Sequence, residues 1–121
     1  DLEDIAQKMF KSDCFVLVSD AETFGVAYIE AMAAGLPVIA TRCGGPEDFV
    51  DEKCGILIDC NDGENLVTAL HSMRNNLDHY DSNLISKKVI LRYSPEAVAV
   101  QLNDLYREAL YALKIGTNSV R

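Results

Sequence analysis

Three short apolar runs, each long enough for one β-strand, alternate with helical patterns along this chain. The runs are CFVLV at 14–18, PVIAT at 37–41 and GILID at 55–59. A continuous apolar run of this length is typical of a strand that is buried on both faces, as in a parallel sheet. Strands that alternate with helices form βαβ units. The sequence therefore predicts an α/β fold, a Rossmann-like parallel sheet flanked by helices.

The remaining segments have the apolar spacing of helices. Helices are predicted near 2–11, from about residue 26 to a stop at Gly35 and Pro37, near 66–77, near 82–92, and from Pro95 onward with Ser94 as N-cap. Tyr28 is expected to pack with its hydroxyl at the surface, and the 3.6-period stripe Val98–Leu113 to pack as core. Because three strands make a narrow sheet, one or two βα units are expected to precede Asp1.

Charge and cysteine spacing exclude several classes of partner. The net charge is -8 over 121 residues, and both nucleic acids and anionic membranes select basic surfaces. We therefore expect no nucleic-acid partner and no membrane contact through this segment. The sequence shows no signal segment and no lipidation motif, from which we expect a cytoplasmic location. The four cysteines lack the CxxC spacing of a zinc site. They are expected to be reduced, structural thiols.

The polar segment SDAETFG at 19–25 joins the first strand to the next helix. Ligands of open parallel sheets bind at this edge, beyond the carboxyl ends of the strands. The backbone N–H groups of 24–26 are expected to point outward there, with the positive end of the helix dipole behind them. Gly25 lets a ligand approach the backbone closely, and Ser19 or Thr23 is the expected helix cap. The junction predicts an anion site, with a phosphate as its natural occupant.

Two glutamates accompany this helix start. Glu30 is the one charged residue in the apolar run 24–40, and burial of an unpaired carboxylate is costly. It either has a structural partner such as a lysine or faces a ligand, where it could accept hydrogen bonds from the paired hydroxyls of a ribose. Glu22 is either a solvated charge that favours the helix dipole or an acceptor for hydroxyls of a second polar group. The pattern suggests a ligand that combines sugar, phosphate and ribose.

The stretch SDAETFGVAYIEAMAAGLPVIATRCGGPEDFV resembles the donor-binding signature of the retaining GT-B glycosyltransferases of family 4, also called group 1. The family pattern has a Glu, seven residues and a second Glu, then Ala-Met-Ala-x-Gly-x-Pro-Val and a Gly-Gly loop. CGILID and SPEAVAVQLNDLYREAL are also similar to the family. The resemblance implies that 1–115 is the C-terminal part of a GT-B donor domain, incomplete at its N-terminus. The polar residues at 116–121 are expected to form a flexible tail.

The resemblance also implies roles for individual residues. Glu22 would be the catalytic residue that holds hydroxyls of the transferred sugar near the reacting carbon, and Glu30 would bind the ribose hydroxyls of a nucleotide-sugar donor. The other implied substrate-binding residues contact the donor or shape the loop beside it: Ser19, Thr23, Phe24, Gly25, Val26, Gly44 and Gly45. No metal ion or other cofactor is implied, since such enzymes generally need only the nucleotide-sugar as substrate.

The chain departs from the family mainly in what it lacks. Val18-Ser19 stands where the family strand usually ends in Pro-Ser, and we expect little effect from this change. The family stabilises the departing diphosphate with an Arg and a Lys from an earlier part of the domain, and a separate N-terminal domain binds the acceptor. Neither region is in this sequence, and Arg42 is expected to be a solvated loop charge. We therefore expect this chain alone to be inactive, with the N-terminal acceptor domain of the same polypeptide as its partner.

Three functions fit the sequence. The first is the donor-binding portion of a glycosyltransferase that transfers a sugar from a nucleotide-sugar with retention of configuration, to a polysaccharide, a lipid or a small molecule. The second is a GT-B-related nucleotide-sugar epimerase, which needs acid and base residues that this segment does not display. The third is a non-catalytic Rossmann-like binding or interaction module. Loss of sugar transfer on Glu22→Ala would distinguish the first from the other two.

Overall fold

Helices and strands alternate as predicted in the computed structural model, which describes residues 1–118, with side chains through residue 113 except that of Leu2. The regular elements, in chain order, are α1 (Leu2–Phe10), β1 (Phe15–Leu17), α2 (Val26–Ala33), β2 (Val38–Thr41), β3 (Gly55–Ile58), α3 (Gly63–Asn75), α4 (Ser82–Tyr93) and α5 (Pro95–Asn118). Short 3₁₀ turns lie at Gly45–Asp48 and Leu77–His79. No helix in this described part is long and apolar enough to cross a bilayer.

The three strands form one parallel sheet in the order β1-β2-β3. Phe15 lies opposite Val38, and Val38 lies opposite Gly55. Val38, Ile39 and Ala40 of the central strand are all fully buried, which explains why the run is apolar without alternation. The predicted α/β class with a parallel sheet flanked by helices is confirmed.

Helices cover both faces of this sheet. On one face, the rings of Phe15 and Tyr28 meet edge to face with 5.7 Å between their centroids, so α2 packs there. On the other face, Ile39 packs with Ala69 and Met73 of α3. Adjacent residues of a strand point to opposite faces, and β2 therefore contributes side chains to both layers.

Strand β1 is more exposed than β2. Among the described strands it pairs with β2 alone. Val16 is 38% exposed, and Val18, which directly follows the strand, is 48% exposed. A strand with one unpaired edge presents backbone N–H and C=O groups that can pair further. This exposure is in line with further βα units beside β1, which remain a prediction.

The chain divides into two compact units, Asp1–Val89 and Ile90–Arg121. In the second unit, Ser94 Oγ accepts a hydrogen bond from the Ala97 N–H at 3.2 Å, as predicted for an N-cap. The stripe of α5 is exposed, however, with Leu105 60% exposed. The prediction that it packs as core is wrong for the described residues, because helical periodicity reveals an apolar face but not what covers it.

The end of the chain bears on the predicted tail at 116–121. Helix α5 continues to Asn118, so the first three residues of that tail are helical. Residues 119–121 lie outside the described part of the chain. The domain boundary at 115 stays a prediction.

Candidate functional site

Helix α2 begins at a glycine rather than at a side-chain cap. Gly25 has φ 93° and ψ 51°, and no side chain caps the helix. A Cβ at this position would lie 2.8 Å from Tyr28 Cδ2, so both the backbone conformation and the packing require glycine. The predicted cap from Ser19 or Thr23 is wrong, because the left-handed turn at Gly25 replaces it.

Ser19 is instead bonded to the end of β2. The Thr41 hydroxyl donates to the Ser19 carbonyl at 2.6 Å and accepts from the Ser19 N–H at 2.9 Å. Thr41 is only 2% exposed, so this pair fixes the loop after β1 against β2. Thr41 was not identified from the sequence, although a single hydroxyl at the end of an apolar strand was a signal for it.

Glu22 is held by main-chain hydrogen bonds. Its N–H donates to the Cys43 carbonyl at 3.2 Å, and its carbonyl accepts from the Gly45 N–H at 2.7 Å. Glu22 and Gly44 thus form an isolated parallel bridge. We call residues 43–45 the glycine loop. It binds the backbone of Glu22 from one side and leaves its half-buried side chain free of this interaction.

The glycine loop and the start of α2 pack closely. A Cβ at Gly45 would collide with the Phe24 carbonyl, so the two segments approach at backbone distance only because residue 45 is glycine. The Phe49 ring lies 6.4 Å from the Phe24 ring and 6.3 Å from the Tyr28 ring, centroid to centroid. This aromatic cluster forms an apolar base for the junction.

The hydroxyl of Tyr28 anchors the cluster to β1. Tyr28 is fully buried, and its hydroxyl donates to the Leu17 carbonyl at 2.6 Å. Burial, followed by the electrostatic effect of nearby Cys43, raises the pKa of Tyr28 to about 12. The prediction of a surface hydroxyl is wrong, because the strand before the helix supplies a buried acceptor.

Glu22 faces an open cavity of about 580 Å³. Its lining residues are Ala21, Glu22, Thr23, Cys43, Gly44, Gly45 and Asp48. The described lining thus contains two carboxylates and no lysine or arginine. Backbone N–H groups can supply partial positive charge to an anion, and those of Val26 and Ala27 have no intrahelical partner at the first turn of α2. The cavity suits a ligand that is rich in hydroxyls near Glu22 and anionic near α2.

Glu30 lies apart from this cavity. Its side chain is exposed, whereas the adjacent Ala31 and Met32 are fully buried. Glu30 lines a groove with Ile5 and Met9 of α1. No ion pair among the described residues includes it, so the structural partner considered from the sequence is not found in this part of the chain.

The structure groups the predicted site residues in four places. Glu22, Thr23, Gly44 and Gly45 share the cavity, while Phe24, Gly25 and Val26 form the helix start beside it. Ser19 lines a neighbouring cavity with Thr41, and Glu30 lines the α1–α2 groove. Their roles toward a ligand stay predictions.

Two charged features complete the site. Arg42 Nε lies 3.5 Å from Asp59 Oδ1 in an exposed pair, in keeping with a solvated loop charge. Within the described residues, no three His, Cys, Asp or Glu side chains form a group that could hold a metal ion. The expectation of a reaction without metal stays a prediction, and the four cysteines are free.

Comparisons with known proteins agree on one family. A family profile described as "Glycosyl transferases group 1" matches residues 1–76. The D-inositol 3-phosphate glycosyltransferase of Corynebacterium kroppenstedtii is 34% identical over 113 residues, which are 89% of this chain and 24% of that protein. The sulfoquinovosyl transferase of Arabidopsis thaliana is 39% identical over 75 residues, which are 59% of this chain and 15% of that protein.

The fold is similar to that of a solved enzyme. The sucrose-phosphate synthase from Thermosynechococcus elongatus superposes with a TM-score of 0.77 and 31% identity, over 93% of this chain and 29% of that chain. This chain therefore spans between 15% and 29% of the length of these proteins. Its architecture corresponds to part of a GT-B fold.

Proposed function

Since this chain belongs to the glycosyl transferases group 1, we propose that it is the donor-binding portion of an enzyme that transfers a sugar from a nucleotide-sugar with retention of configuration. The observation that carries the proposal is the pairing of Glu22 with the glycine loop. Both Glu22 bonds to that loop use main-chain atoms, so the carboxylate remains available to a ligand in the cavity. A carboxylate that accepts two hydroxyl hydrogen bonds orients a sugar ring.

The start of α2 supports binding of the donor diphosphate. The N–H groups of Val26 and Ala27, at the first turn of the helix, have no intrahelical partner. The left-handed turn at Gly25 exposes these groups without an intervening side-chain cap. Backbone donors at a helix N-terminus are a common phosphate site. They also compensate for the carboxylates of the adjoining cavity, which would repel an anion.

Glu30 is proposed to bind the ribose. It lies on α2 beyond the first helical turn, and its side chain is exposed. None of the ion pairs among the described residues includes it. These features fit a group that accepts hydrogen bonds from the two adjacent hydroxyls of a ribose. Glu22 and Glu30 would thus bind opposite ends of one nucleotide-sugar, with the diphosphate between them.

The rest of the reaction is proposed to involve parts of the enzyme beyond this chain. Stabilisation of a leaving diphosphate is a large catalytic effect, and the cavity beside Glu22 is lined by carboxylates rather than by described cations. We infer that cationic groups elsewhere in the polypeptide neutralise the leaving group, without a metal ion, and that an N-terminal domain binds the acceptor. The proposal includes a cytoplasmic location, since four free thiols are typical of a reducing compartment.

Ligand binding is tested with saturation-transfer NMR on this chain, using UDP, GDP, ADP and their sugar conjugates. One nucleotide should bind selectively, and Glu30→Gln should weaken that binding by about tenfold or more, because hydrogen bonds to a charged group contribute ~1.5–3 kcal/mol. Glu52→Gln is the matched control, since Glu52 is an exposed carboxylate outside the site. The melting temperature of Glu30→Gln should be unchanged, and a large decrease would indicate a structural role instead.

Catalysis is tested in the full-length enzyme. Glu22→Gln keeps the size of the side chain and removes the charge that orients the sugar. Sugar transfer should fall by about 100-fold, the cost of a small misplacement of the reacting groups. Unchanged transfer would contradict the role of Glu22. No transfer by the wild-type protein, together with no nucleotide binding, would favour a non-catalytic module.

A further inference from the structure

The glycine loop controls where the backbone of Glu22 lies. The Cys43 carbonyl accepts a hydrogen bond from the Glu22 N–H at 3.2 Å, and the Gly45 N–H donates one to the Glu22 carbonyl at 2.7 Å. A movement of the loop must therefore move Glu22 or break both bonds. The position of the carboxylate depends on whatever fixes the loop.

The carboxylate of Glu47, on the 3₁₀ turn that follows, fixes the glycine loop. Glu47 Oε2 accepts a hydrogen bond from the Gly44 N–H at 3.0 Å, and the Glu47 N–H donates to the Gly44 carbonyl at 3.0 Å. Residue 47 thus bonds both main-chain polar groups of Gly44. The bond to the carboxylate is charge-assisted and is stronger than a bond between two neutral groups.

Gly44 needs such support. It has φ 116° and ψ −106°, a conformation that few residues other than glycine adopt. Glycine also has the largest conformational freedom to lose on ordering. Without an acceptor for its N–H, residue 44 would sample several conformations, and the bridge to Glu22 would weaken with it.

Glu47 does not itself line the cavity that Glu22 faces, whereas its neighbour Asp48 does. Its side chain is exposed and is directed to Gly44. We propose that Glu47 is a positioning residue for Glu22. It acts through Gly44 and the glycine loop to fix the position of the Glu22 carboxylate in the cavity that Glu22 faces. This inference rests on the proposed function of Glu22.

The positioning step is tested without any ligand, by hydrogen exchange and mass spectrometry on the full-length protein. Glu47→Ala removes the acceptor of the Gly44 N–H, and exchange in the peptide 43–48 should become about 5- to 10-fold faster. Glu47→Gln keeps an acceptor oxygen, so its exchange rate in the peptide 43–48 should lie between those of the wild type and Glu47→Ala. Exchange in the β3 peptide 55–59 should not change, and neither peptide should change in the control Glu52→Ala. Equal acceleration of both peptides, or no acceleration in 43–48, would overturn the inference.

The catalytic consequence is tested by steady-state kinetics of the same variants. Glu47→Ala should lower kcat by about 10- to 100-fold with less than about a twofold change in the donor KM, because nucleotide binding at Glu30 and α2 is untouched. Glu47→Gln should restore part of the rate. If Glu22→Ala reduces transfer but Glu47→Ala does not, the positioning role is overturned while the proposed function stands. If Glu22→Ala leaves transfer unchanged, both are overturned.

Discussion

Replacement of Tyr28 by Phe should change both the stability of the protein and its dependence on alkaline pH. The hydroxyl is buried and donates to the Leu17 carbonyl at 2.6 Å. Tyr28→Phe leaves that carbonyl with one hydrogen-bond partner fewer beside a fully buried side chain. The free energy of unfolding at pH 8 should fall by about 1–3 kcal/mol, the usual cost of a buried polar group that loses its partner.

The pH dependence follows from the pKa of Tyr28, which burial raises to about 12 in the folded protein. In the unfolded chain a tyrosine titrates near pH 10. The protonated hydroxyl therefore stabilises the fold fully below pH 10, and this contribution is lost as the pH rises through 12. The loss amounts to about 1.4 kcal/mol at pH 11 and approaches about 2.7 kcal/mol above pH 12.

Urea unfolding of the wild type and Tyr28→Phe between pH 8 and pH 11.5 measures both effects. The wild type should be the more stable protein at pH 8, and its advantage should shrink by about 1.4 kcal/mol at pH 11. The comparison of two proteins cancels the lysine and cysteine titrations that they share. A stability difference that stays constant over this range would refute the assignment of a buried, hydrogen-bonded hydroxyl.

Three further perturbations test other contacts. Gly25→Ala forces a side chain into a left-handed turn and against Tyr28, so thermal unfolding should show a loss of at least about 1–3 kcal/mol; an unchanged melting temperature would contradict the turn. Thr41→Val keeps the shape of the side chain but removes both hydrogen bonds to Ser19. Chemical denaturation should show that the free energy of unfolding falls by about 1–3 kcal/mol. The exposed control Thr68→Val should change it little. Burial alone would raise the pKa of Asp51, but hydrogen bonds from Lys88 and Cys54 outweigh it and hold that pKa below its usual value. In Lys88→Met, the free energy of unfolding should therefore decrease less steeply than in the wild type as the pH falls below about 4. The difference should be small because the pair is partly exposed. Identical pH dependence of the two proteins in acid would argue against the pair.

The fold was predictable because it depends on the pattern of apolar residues. The three runs that became β1, β2 and β3 are apolar because helices cover both sheet faces, and an apolar run without alternation indicates such burial directly. The stripe of α5 shows the limit of the same reasoning. Its period correctly predicted a helix, but burial depends on what lies against that face, and periodicity holds no information on that.

The candidate site was predictable in part. The glycines at 25, 44 and 45 were identified from the sequence, since each occupies a conformation or an approach that other residues cannot adopt. The bonds that position them were not identified. Thr41 with Ser19, and Glu47 with Gly44, depend on where the chain turns after each strand, and local propensity does not determine the partner of a polar group.

Main-chain attachment of Glu22 to the glycine loop makes residue 22 an unusually tolerant place for chemical substitution. The bonds at 3.2 and 2.7 Å belong to the peptide groups, and every residue except proline offers the same N–H and carbonyl. A cysteine, an aspartate or an unnatural side chain can therefore be introduced at residue 22 without altering its scaffold. The cavity that Glu22 faces can thus be given new reactive groups, on a backbone that keeps its native register. In a variant that lacks the Glu22 carboxylate, small carboxylates from solution can take its place.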